Sequence, residues 1–210
     1  MTASRNVTGF IPVHAPQLPS GAEAYFQEFP ELLENLPYRT IDAVTDALWE
    51  AYQQDHALFV FGNGGSAALA SHSACDLGKG TVVDGNRRFR VLSLTDNVPL
   101  MTAWANDQRY ADVFAEQLRP LVRADDVVLA ISGSGNSENV LNGLQVAREA
   151  GALTIGLTGF QGGKMKFLCD LCLVIPTNSM QLIEDFHLAV THSIFISLRR
   201  RIAEACGAGE

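Results

Sequence analysis

Five short apolar runs alternate with helical stretches along most of the chain, and this alternation constrains the fold more than any other feature. The runs are apolar nearly throughout instead of alternating with polar residues, which is typical of strands that are covered on both faces. They lie at 57–61, 90–94, 126–132, 153–158 and 171–175. The sequence therefore predicts an α/β three-layer sandwich around a five-stranded parallel sheet, in which ligands bind beyond the carboxyl ends of the strands.

Further helices are predicted before the first strand and after the last one. Two amphipathic helices lie within 22–54 with Pro37 at the break between them, and a final helix runs from Met180 to Ala205. We expect an N-terminal arm at 1–21, a single domain at 22–205 that includes the helical hairpin, and a C-terminal tail at 206–210. The apolar faces of these helices exceed what one sheet readily covers, which predicts a homotetramer or at least a dimer.

Length and charge exclude several classes of protein. A chain of 210 residues suits one domain, and its formal net charge of −8 argues against a nucleic-acid binder, because phosphate backbones favour basic surfaces. No apolar run approaches the roughly 20 residues that span a bilayer, and the N-terminus lacks the pattern of a signal peptide, so the expected location is cytoplasmic. Cys169 and Cys172 form a lone C-x-x-C beside an apolar run, for which core packing is favoured over metal or redox use.

Polar, glycine-rich or acidic segments follow three of the predicted strands. They read GNGGSA at 62–67, SLTDN at 93–97 and ISGSGNS at 131–137. In the last one, glycines allow close backbone approach, N–H groups at a helix N-terminus attract an anion, and serine hydroxyls add donors. The pattern matches neither the P-loop nor the dinucleotide-binding fingerprint. One such loop would equally suit a helix cap and a turn, but three together predict a site for a phosphorylated small molecule.

A second set of residues is suited to acid–base or metal chemistry. His72 and Asp76 are four residues apart on the helix that follows GNGGSA, so they share a face. Near the C-terminus, QLIEDFHLAVTH supplies Glu184, Asp185, His187 and His192. Two histidines with two carboxylates suit a zinc site and equally suit a general acid and base. Glu184 and His192 are eight residues apart, about 12 Å along a regular helix, so a shared metal requires an irregular helix or two subunits.

Taken together, these segments resemble the sedoheptulose 7-phosphate isomerases, also called phosphoheptose isomerases, of the sugar isomerase (SIS) fold. The resemblance covers roughly residues 22–200 and rests on GNGGSAA, LTDN, AWANDQRYADVF, ISGSGNSENVL, TIGLTGFQGGKM and EDFHLAVTH. It implies a five-stranded parallel sheet in flavodoxin-like order and a homotetramer with sites at subunit contacts. It also implies zinc as cofactor and a sugar phosphate as ligand, with no nucleic-acid or membrane partner.

The resemblance also assigns individual residues. It implies a phosphate cradle at Ser66, Ser132, Ser134 and Ser137. The wider substrate site then includes Asn63, Gly64, Gly65, Asp96, Asn97, Gly133 and Glu184. The implied metal ligands are His72, Asp76, Glu184 and His192, with Asp76 as the catalytic base and His192 as the acid. Asp76 stands where the family has glutamate, Glu184 where it has glutamine, and Gly133 where it has threonine.

The leading hypothesis is an aldose–ketose isomerase that acts on a heptose 7-phosphate through an enediolate. One alternative is a non-catalytic SIS protein that binds a sugar phosphate in order to regulate a partner such as a replication initiator protein. Another is an isomerase of a different phosphosugar, which the aspartate at position 76 keeps open. The presence of His72, Asp76, Glu184 and His192 favours catalysis, because non-catalytic members tend to lose these residues.

Overall fold

A five-stranded parallel sheet forms the centre of the computed structural model, which describes residues 21–206. The strands are β1 (Leu58–Gly62), β2 (Val91–Ser93), β3 (Val127–Ile131), β4 (Leu153–Thr158) and β5 (Leu171–Val174). Their order is β2-β1-β3-β4-β5, and each neighbouring pair is parallel. This is the flavodoxin-like order of a doubly wound sheet, so the predicted fold class is confirmed.

Helices cover both faces of the sheet, as the apolar character of the strands predicts. The helices are α1 (Ala22–Gln27), α2 (Phe29–Glu34), α3 (Tyr38–Gln53), α4 (Gly65–Cys75), α5 (Val98–Asp107), α6 (Val113–Leu118), α7 (Glu138–Glu149), α8 (Met165–Leu168) and α9 (Met180–Ala205). A π-helical turn (Asp76–Gly80) extends α4, and a 3-10 turn (Tyr110–Asp112) precedes α6. The last helix has the bounds that the sequence predicts.

Two apolar cores lie on opposite faces of the sheet. Leu58 and Val60 belong to one core and Phe59 and Phe61 to the other, because successive side chains of a strand point to opposite faces. The first core is closed by buried residues of α3, α4 and α9, and the second by buried residues of α6 and α7. All five residues of β1 are buried, which explains its unbroken apolar sequence.

The N-terminal hairpin differs from the prediction in one detail. The first predicted helix is divided into α1 and α2 at Glu28, and Pro30 lies in the first turn of α2. Proline has no N–H and is tolerated in a first turn but not in a helix interior, so a new helix begins here. Among the helices of the described segment, none combines the length and apolarity that crossing a bilayer requires. Apart from Gly21 and Cys206, the predicted arm at 1–21 and the predicted tail at 206–210 lie outside the described residues.

Candidate functional site

The carboxyl ends of β1 and β3 create a crevice. Gly62 at the end of β1 pairs with Ile131 at the end of β3, so the loops that follow these strands start at the same level. The loop after β1 leads into α4 on one face of the sheet, and the loop after β3 leads into α7 on the other face. Strand order reverses between these strands, which is where ligands bind in doubly wound sheets. Two helix N-termini therefore open onto one crevice.

The predicted serine loop lies on the β3 side of this crevice. The Oγ atoms of Ser132 and Ser137 are 3.2 Å apart, and the Ser137 side chain makes no capping hydrogen bond to α7. Ser134 Oγ accepts a hydrogen bond from the backbone N–H of Asn136 at 3.3 Å. Gly135 has a φ of +63°, and a Cβ at this position would lie 2.3 Å from the carbonyl oxygen of Gly162, so glycine is required. The loop is held in a tight curve with the hydroxyls of Ser132 and Ser137 close together.

Ser66 and two glycines form the β1 side. Ser66 is buried in the first turn of α4, next to Gly64 and Gly65, which are exposed. A Cβ at Gly65 would lie 2.8 Å from Oε1 of Glu184, so the carboxylate of α9 covers the start of α4. The predicted cradle residues therefore lie in the first turn of α4 and in the loop after β3, on the two sides of the crevice.

Three donor side chains converge beyond the first turns of α4. Nε2 of His72 lies 2.9 Å from Nε2 of His192, and Oδ2 of Asp76 lies 3.3 Å from the first and 3.6 Å from the second. All three donor atoms lie within 4.8 Å of one another. Two ligands of a tetrahedral zinc ion at about 2.05 Å would be about 3.3 Å apart. The observed spacings agree with that geometry, so the cluster suits a zinc-type ion.

Packing between distant segments assembles this cluster. Asp76 begins the π-helical turn after α4, and such turns occur frequently at functional sites. At the end of this turn, a Cβ at Gly80 would lie 2.6 Å from Cζ of Phe195, so the ring of α9 packs directly on the backbone. Phe195 is one turn beyond His192 and shares its face of α9. The contact between Gly80 and Phe195 therefore brings His192 to His72 and Asp76.

Glu184, which the resemblance implies as the fourth metal ligand, does not join this cluster. Helix α9 runs without interruption from Met180 to Ala205, so Glu184 and His192 are separated by about 12 Å along its axis. The carboxylate of Glu184 lies against Gly65 instead. The irregular helix start that a shared metal would require is not present, and among residues 21–206 the set brought together within this chain consists of three residues.

Other candidate residues have partners of their own. Asp96 accepts a hydrogen bond from Ser71 Oγ, which places it beside α4. Oδ1 of Asn97 accepts from the N–H of Leu100 at 3.1 Å and caps α5. A Cβ at Gly133 would lie 2.5 Å from Sδ of Met180, so methionine fills the space that a side chain at 133 would need.

His187 and Asp185 have structural partners. His187 is buried in the first core, where Nε2–H donates to the carbonyl oxygen of Thr158 at 3.1 Å, and burial lowers its pKa to about 4. Asp185 accepts a hydrogen bond from Tyr25 at 2.5 Å, which joins α1 to α9. Burial together with this hydrogen bond raises the pKa of the Tyr25 phenol to about 12. Neither residue contributes to the cluster of three donors.

Asn139 and Tyr110 lie at the site but carry no role in the sequence analysis. Asn139 and Asn63 exchange two side-chain hydrogen bonds of 2.8 Å each, and Tyr110 donates its hydroxyl to Oδ1 of Asn63 at 2.8 Å. The two asparagines are 76 residues apart in the sequence, so no local spacing rule pairs them. Both AWANDQRYADVF and ISGSGNSENVL contribute to the resemblance, which was the one signal that pointed to these segments.

Known proteins share both the sequence pattern and the fold. The SIS domain family model matches residues 24–159. A phosphoheptose isomerase of Pelobacter propionicus is 42% identical over 147 residues, which cover 70% of this chain and 77% of that protein. The structure of phosphoheptose isomerase GmhA from Neisseria gonorrhoeae has a TM-score of 0.76 and 31% identity, covering 84% of this chain and 95% of the other. For a phosphoheptose isomerase from Francisella tularensis the TM-score is 0.78 at 27% identity, with coverages of 85% and 94%.

Proposed function

The chain belongs to the SIS domain family, and on this premise we propose that it is an aldose–ketose isomerase that interconverts sedoheptulose 7-phosphate and a heptose 7-phosphate. The names of the similar proteins support the substrate class. The observation that carries the proposal is the convergence of three titratable side chains. His72 lies on α4, which begins at the crevice, Asp76 lies in the π-helical turn after it, and His192 lies on α9, which packs against them. A fold alone requires no such convergence of titratable side chains.

In this proposal the crevice binds the phosphate group. Hydroxyls of Ser66, Ser132, Ser134 and Ser137 and the N-termini of α4 and α7 supply donors without a lysine or arginine. His72 is six positions beyond Ser66 on α4, which corresponds to about 9 Å along the helix axis. An extended seven-carbon sugar phosphate spans about 10 Å from phosphorus to C1, at roughly 1.25 Å per bond. The phosphate and the reacting carbons can therefore occupy the crevice and the donor cluster at the same time.

We further propose that the cluster holds a divalent metal ion, with zinc as the best match. His72, Asp76 and His192 supply two imidazole nitrogens and one carboxylate oxygen, which is a donor set that zinc prefers. Three protein ligands leave a fourth position open, which is the arrangement of catalytic rather than structural zinc sites. When bound, the ion would supply positive charge next to the sugar oxygen that becomes anionic.

Asp76 and His192 are the proposed base and acid. Both histidine contacts of Asp76 go to Oδ2, so Oδ1 is free to remove the proton from C1 of the ketose. An enediolate forms, and a proton is returned to C2. O1 loses its hydroxyl proton and O2 gains one, so that the product is the aldose. Because Nε2 of His192 faces the cluster, Nδ1 is the nitrogen left to exchange the oxygen-bound proton. The reaction is balanced and requires no external oxidant or reductant.

A homotetramer with sites at subunit contacts is also proposed. Large apolar side chains are exposed on three helices, with Phe26 at 62%, Phe167 at 86% and Ile196 at 63% of full exposure. The exposure of large apolar side chains on these helices supports their burial at subunit contacts. Light scattering at micromolar concentration tests the assembly, and a monomer would contradict it. The expected cytoplasmic location stays a prediction.

Isotope exchange tests the proposed reaction. The zinc-loaded protein is incubated in D₂O with sedoheptulose 7-phosphate and with a panel of other ketose and aldose phosphates, and products are followed by NMR. We expect interconversion of the heptose phosphates with deuterium incorporated at the reacting carbons. His192→Ala should abolish this exchange and leave phosphate binding intact, whereas Asp185→Asn, outside the cluster on the same helix, should retain activity.

Each other outcome selects an alternative. Binding of sugar phosphates without any carbon–deuterium exchange would contradict catalysis and favour a regulatory binding protein. Turnover of a different phosphosugar would preserve the reaction class and contradict the heptose assignment. Asp76→Glu restores the residue type of the family at this position, so it should preserve or raise heptose phosphate turnover if that substrate is correct.

A further inference from the structure

A closed set of side-chain hydrogen bonds surrounds Asn63 at the carboxyl end of β1. Its Oδ1 accepts from Tyr110 and from Nδ2 of Asn139, each at 2.8 Å. Its Nδ2 donates to Oδ1 of Asn139, also at 2.8 Å. Asn139 is 3% exposed, whereas Asn63 is half-buried at the mouth of the crevice. The buried amide of Asn139 is thus hydrogen-bonded to the more accessible amide of Asn63.

The backbone of α7 determines which way both amides are oriented. The N–H of Val140 in the first turn of α7 donates to the side chain of Asn139 at 3.0 Å, and only the oxygen of that amide can accept it. The other polar atom of the Asn139 amide must therefore be Nδ2, and it faces the Asn63 side chain. Asn63 is then forced to place Oδ1 against that nitrogen and Nδ2 against the Asn139 oxygen. Amide orientation, usually ambiguous, follows here from one backbone donor.

These hydrogen bonds occupy all but one of the hydrogen-bonding positions of the Asn63 side chain. Its oxygen already accepts two hydrogen bonds, which uses both lone pairs. One of its two N–H bonds is donated to Asn139, and within residues 21–206 the other has no partner. Asn63 can therefore offer a ligand one hydrogen-bond donor and no acceptor.

We propose that Asn139 is a positioning residue that fixes Asn63 as a dedicated hydrogen-bond donor to an oxygen of the bound sugar phosphate. The proposal rests on the proposed function, because it concerns the same crevice. Asn63 lies three residues before Ser66, and its partner Asn139 lies two residues after Ser137 at the start of α7, so the remaining N–H of Asn63 adds to the donors available for an anionic oxygen. Without Asn139 the amide can rotate and present its oxygen, which would repel such an oxygen instead of binding it.

A double-mutant cycle separates positioning from a general structural role. Asn139→Leu removes the buried amide at similar volume, and Asn63→Ala removes the group that it positions. We expect Asn139→Leu to lower kcat/KM and sugar-phosphate affinity about tenfold in the wild-type background, because one donor to a charged group is lost. The same substitution should have no further effect in the Asn63→Ala background, because residues that act as a unit are not additive.

Asn142→Leu provides the matched control. Asn142 is one turn further along α7, and its Nδ2 donates to the backbone of Ala111 and to Asp112, each at 3.0 Å. The variant removes another side-chain amide of α7, whose hydrogen bonds go to the turn at 110–112 and not to Asn63, so near-wild-type affinity is expected. If Asn139→Leu fails to fold by circular dichroism, Asn139→Ser replaces it, since a serine hydroxyl can accept from Val140 but cannot reach Asn63.

The NMR signals of the Asn63 side chain give a readout that needs no substrate. They are identified by their loss in Asn63→Ala, and one of the two N–H protons should exchange slowly in the wild type and rapidly in the Asn139 variants. Equal effects of Asn139→Leu in both backgrounds, or an unchanged kcat/KM in an active protein, would overturn the proposal. If the wild type binds sugar phosphates without isomerising any, the proposed function fails while the affinity cycle and the NMR signals still decide the role of Asn139.

Discussion

Acid should destabilise this protein through His187, and His187→Gln should remove that part of the pH dependence. The side chain of His187 is 0% exposed, its Nε2–H donates to the Thr158 carbonyl oxygen at 3.1 Å, and its Nδ1 has no hydrogen-bond partner within the described structure. Desolvation by burial lowers its pKa from 6.5 to about 4, although the hydrogen bond to Thr158 acts in the opposite direction. The folded protein therefore keeps the ring neutral where the unfolded chain protonates it.

The magnitude follows from proton linkage. Above pH 6.5 the ring is neutral in both states and contributes no pH dependence. As the pH falls from 6.5 to about 4, the unfolded state binds one more proton than the folded state, and stability is lost at about 1.4 kcal/mol per pH unit. The full loss is about 3 kcal/mol, and it levels off below the folded-state pKa. This is a large fraction of the roughly 5–15 kcal/mol that stabilises a typical domain.

Urea unfolding followed by circular dichroism measures the effect. Wild type and His187→Gln are compared at several values from about pH 7.5 to about pH 4.5, at one protein concentration and with a chelator present. Glutamine can donate to Thr158 but does not titrate, and the Thr158 carbonyl also accepts from the N–H of Ile175 at 2.8 Å. The contributions of titratable groups that both proteins share cancel in the difference between them.

The difference in unfolding free energy should be constant above pH 6.5. It should then move in favour of His187→Gln by about 2.5 kcal/mol at about pH 4.5, most of the full effect. A difference that stays flat over the whole range would refute the reasoning, because it would mean that the ring protonates equally in the folded and unfolded states. A stability loss centred well above pH 6.5 would refute it as well, since the sign requires the loss to begin at the unfolded-state pKa.

Three further predictions concern the crevice and the donor cluster. Ser134→Ala should weaken sugar-phosphate binding about tenfold by removing one donor hydroxyl, and unchanged affinity in calorimetry would contradict the cradle. Gly135→Ala should destabilise the fold by about 2 kcal/mol or more, because its φ is +63° and a Cβ would meet the Gly162 carbonyl at 2.3 Å. Gly85→Ala, with a φ of +80° and nothing within 4 Å, is the control for backbone strain alone in the same urea titrations. Chelation should abolish activity and zinc restore it, and His72→Ala should lower the zinc content measured by elemental analysis, whereas full zinc retention would contradict the ligand assignment.

Local patterns in the sequence were sufficient to predict the layers of the fold. The strand run 153–158 and the final helix from Met180 to Ala205 have the predicted bounds, and the other four strands lie within one residue of theirs, because apolar periodicity reflects the backbone geometry of each element by itself. The same local rule placed His72 and Asp76 on one face, since residues four apart are neighbours on a helix. The break between α1 and α2 at Glu28 was missed, although Pro30 was visible as a possible interruption.

Residues far apart in the sequence were brought together by tertiary packing alone. His192 reaches His72 across 120 positions because Phe195 packs on Gly80, and Asn139 reaches Asn63 across 76 positions because α7 begins beside the end of β1. The amino-acid sequence by itself determined which elements form and which chemical groups they carry, because hydrogen bonding and side-chain periodicity act within a few residues. The tertiary structure decided which of those groups share a site, because that depends on how helices pack across the sheet, and it therefore separated Glu184 from the three residues that converge.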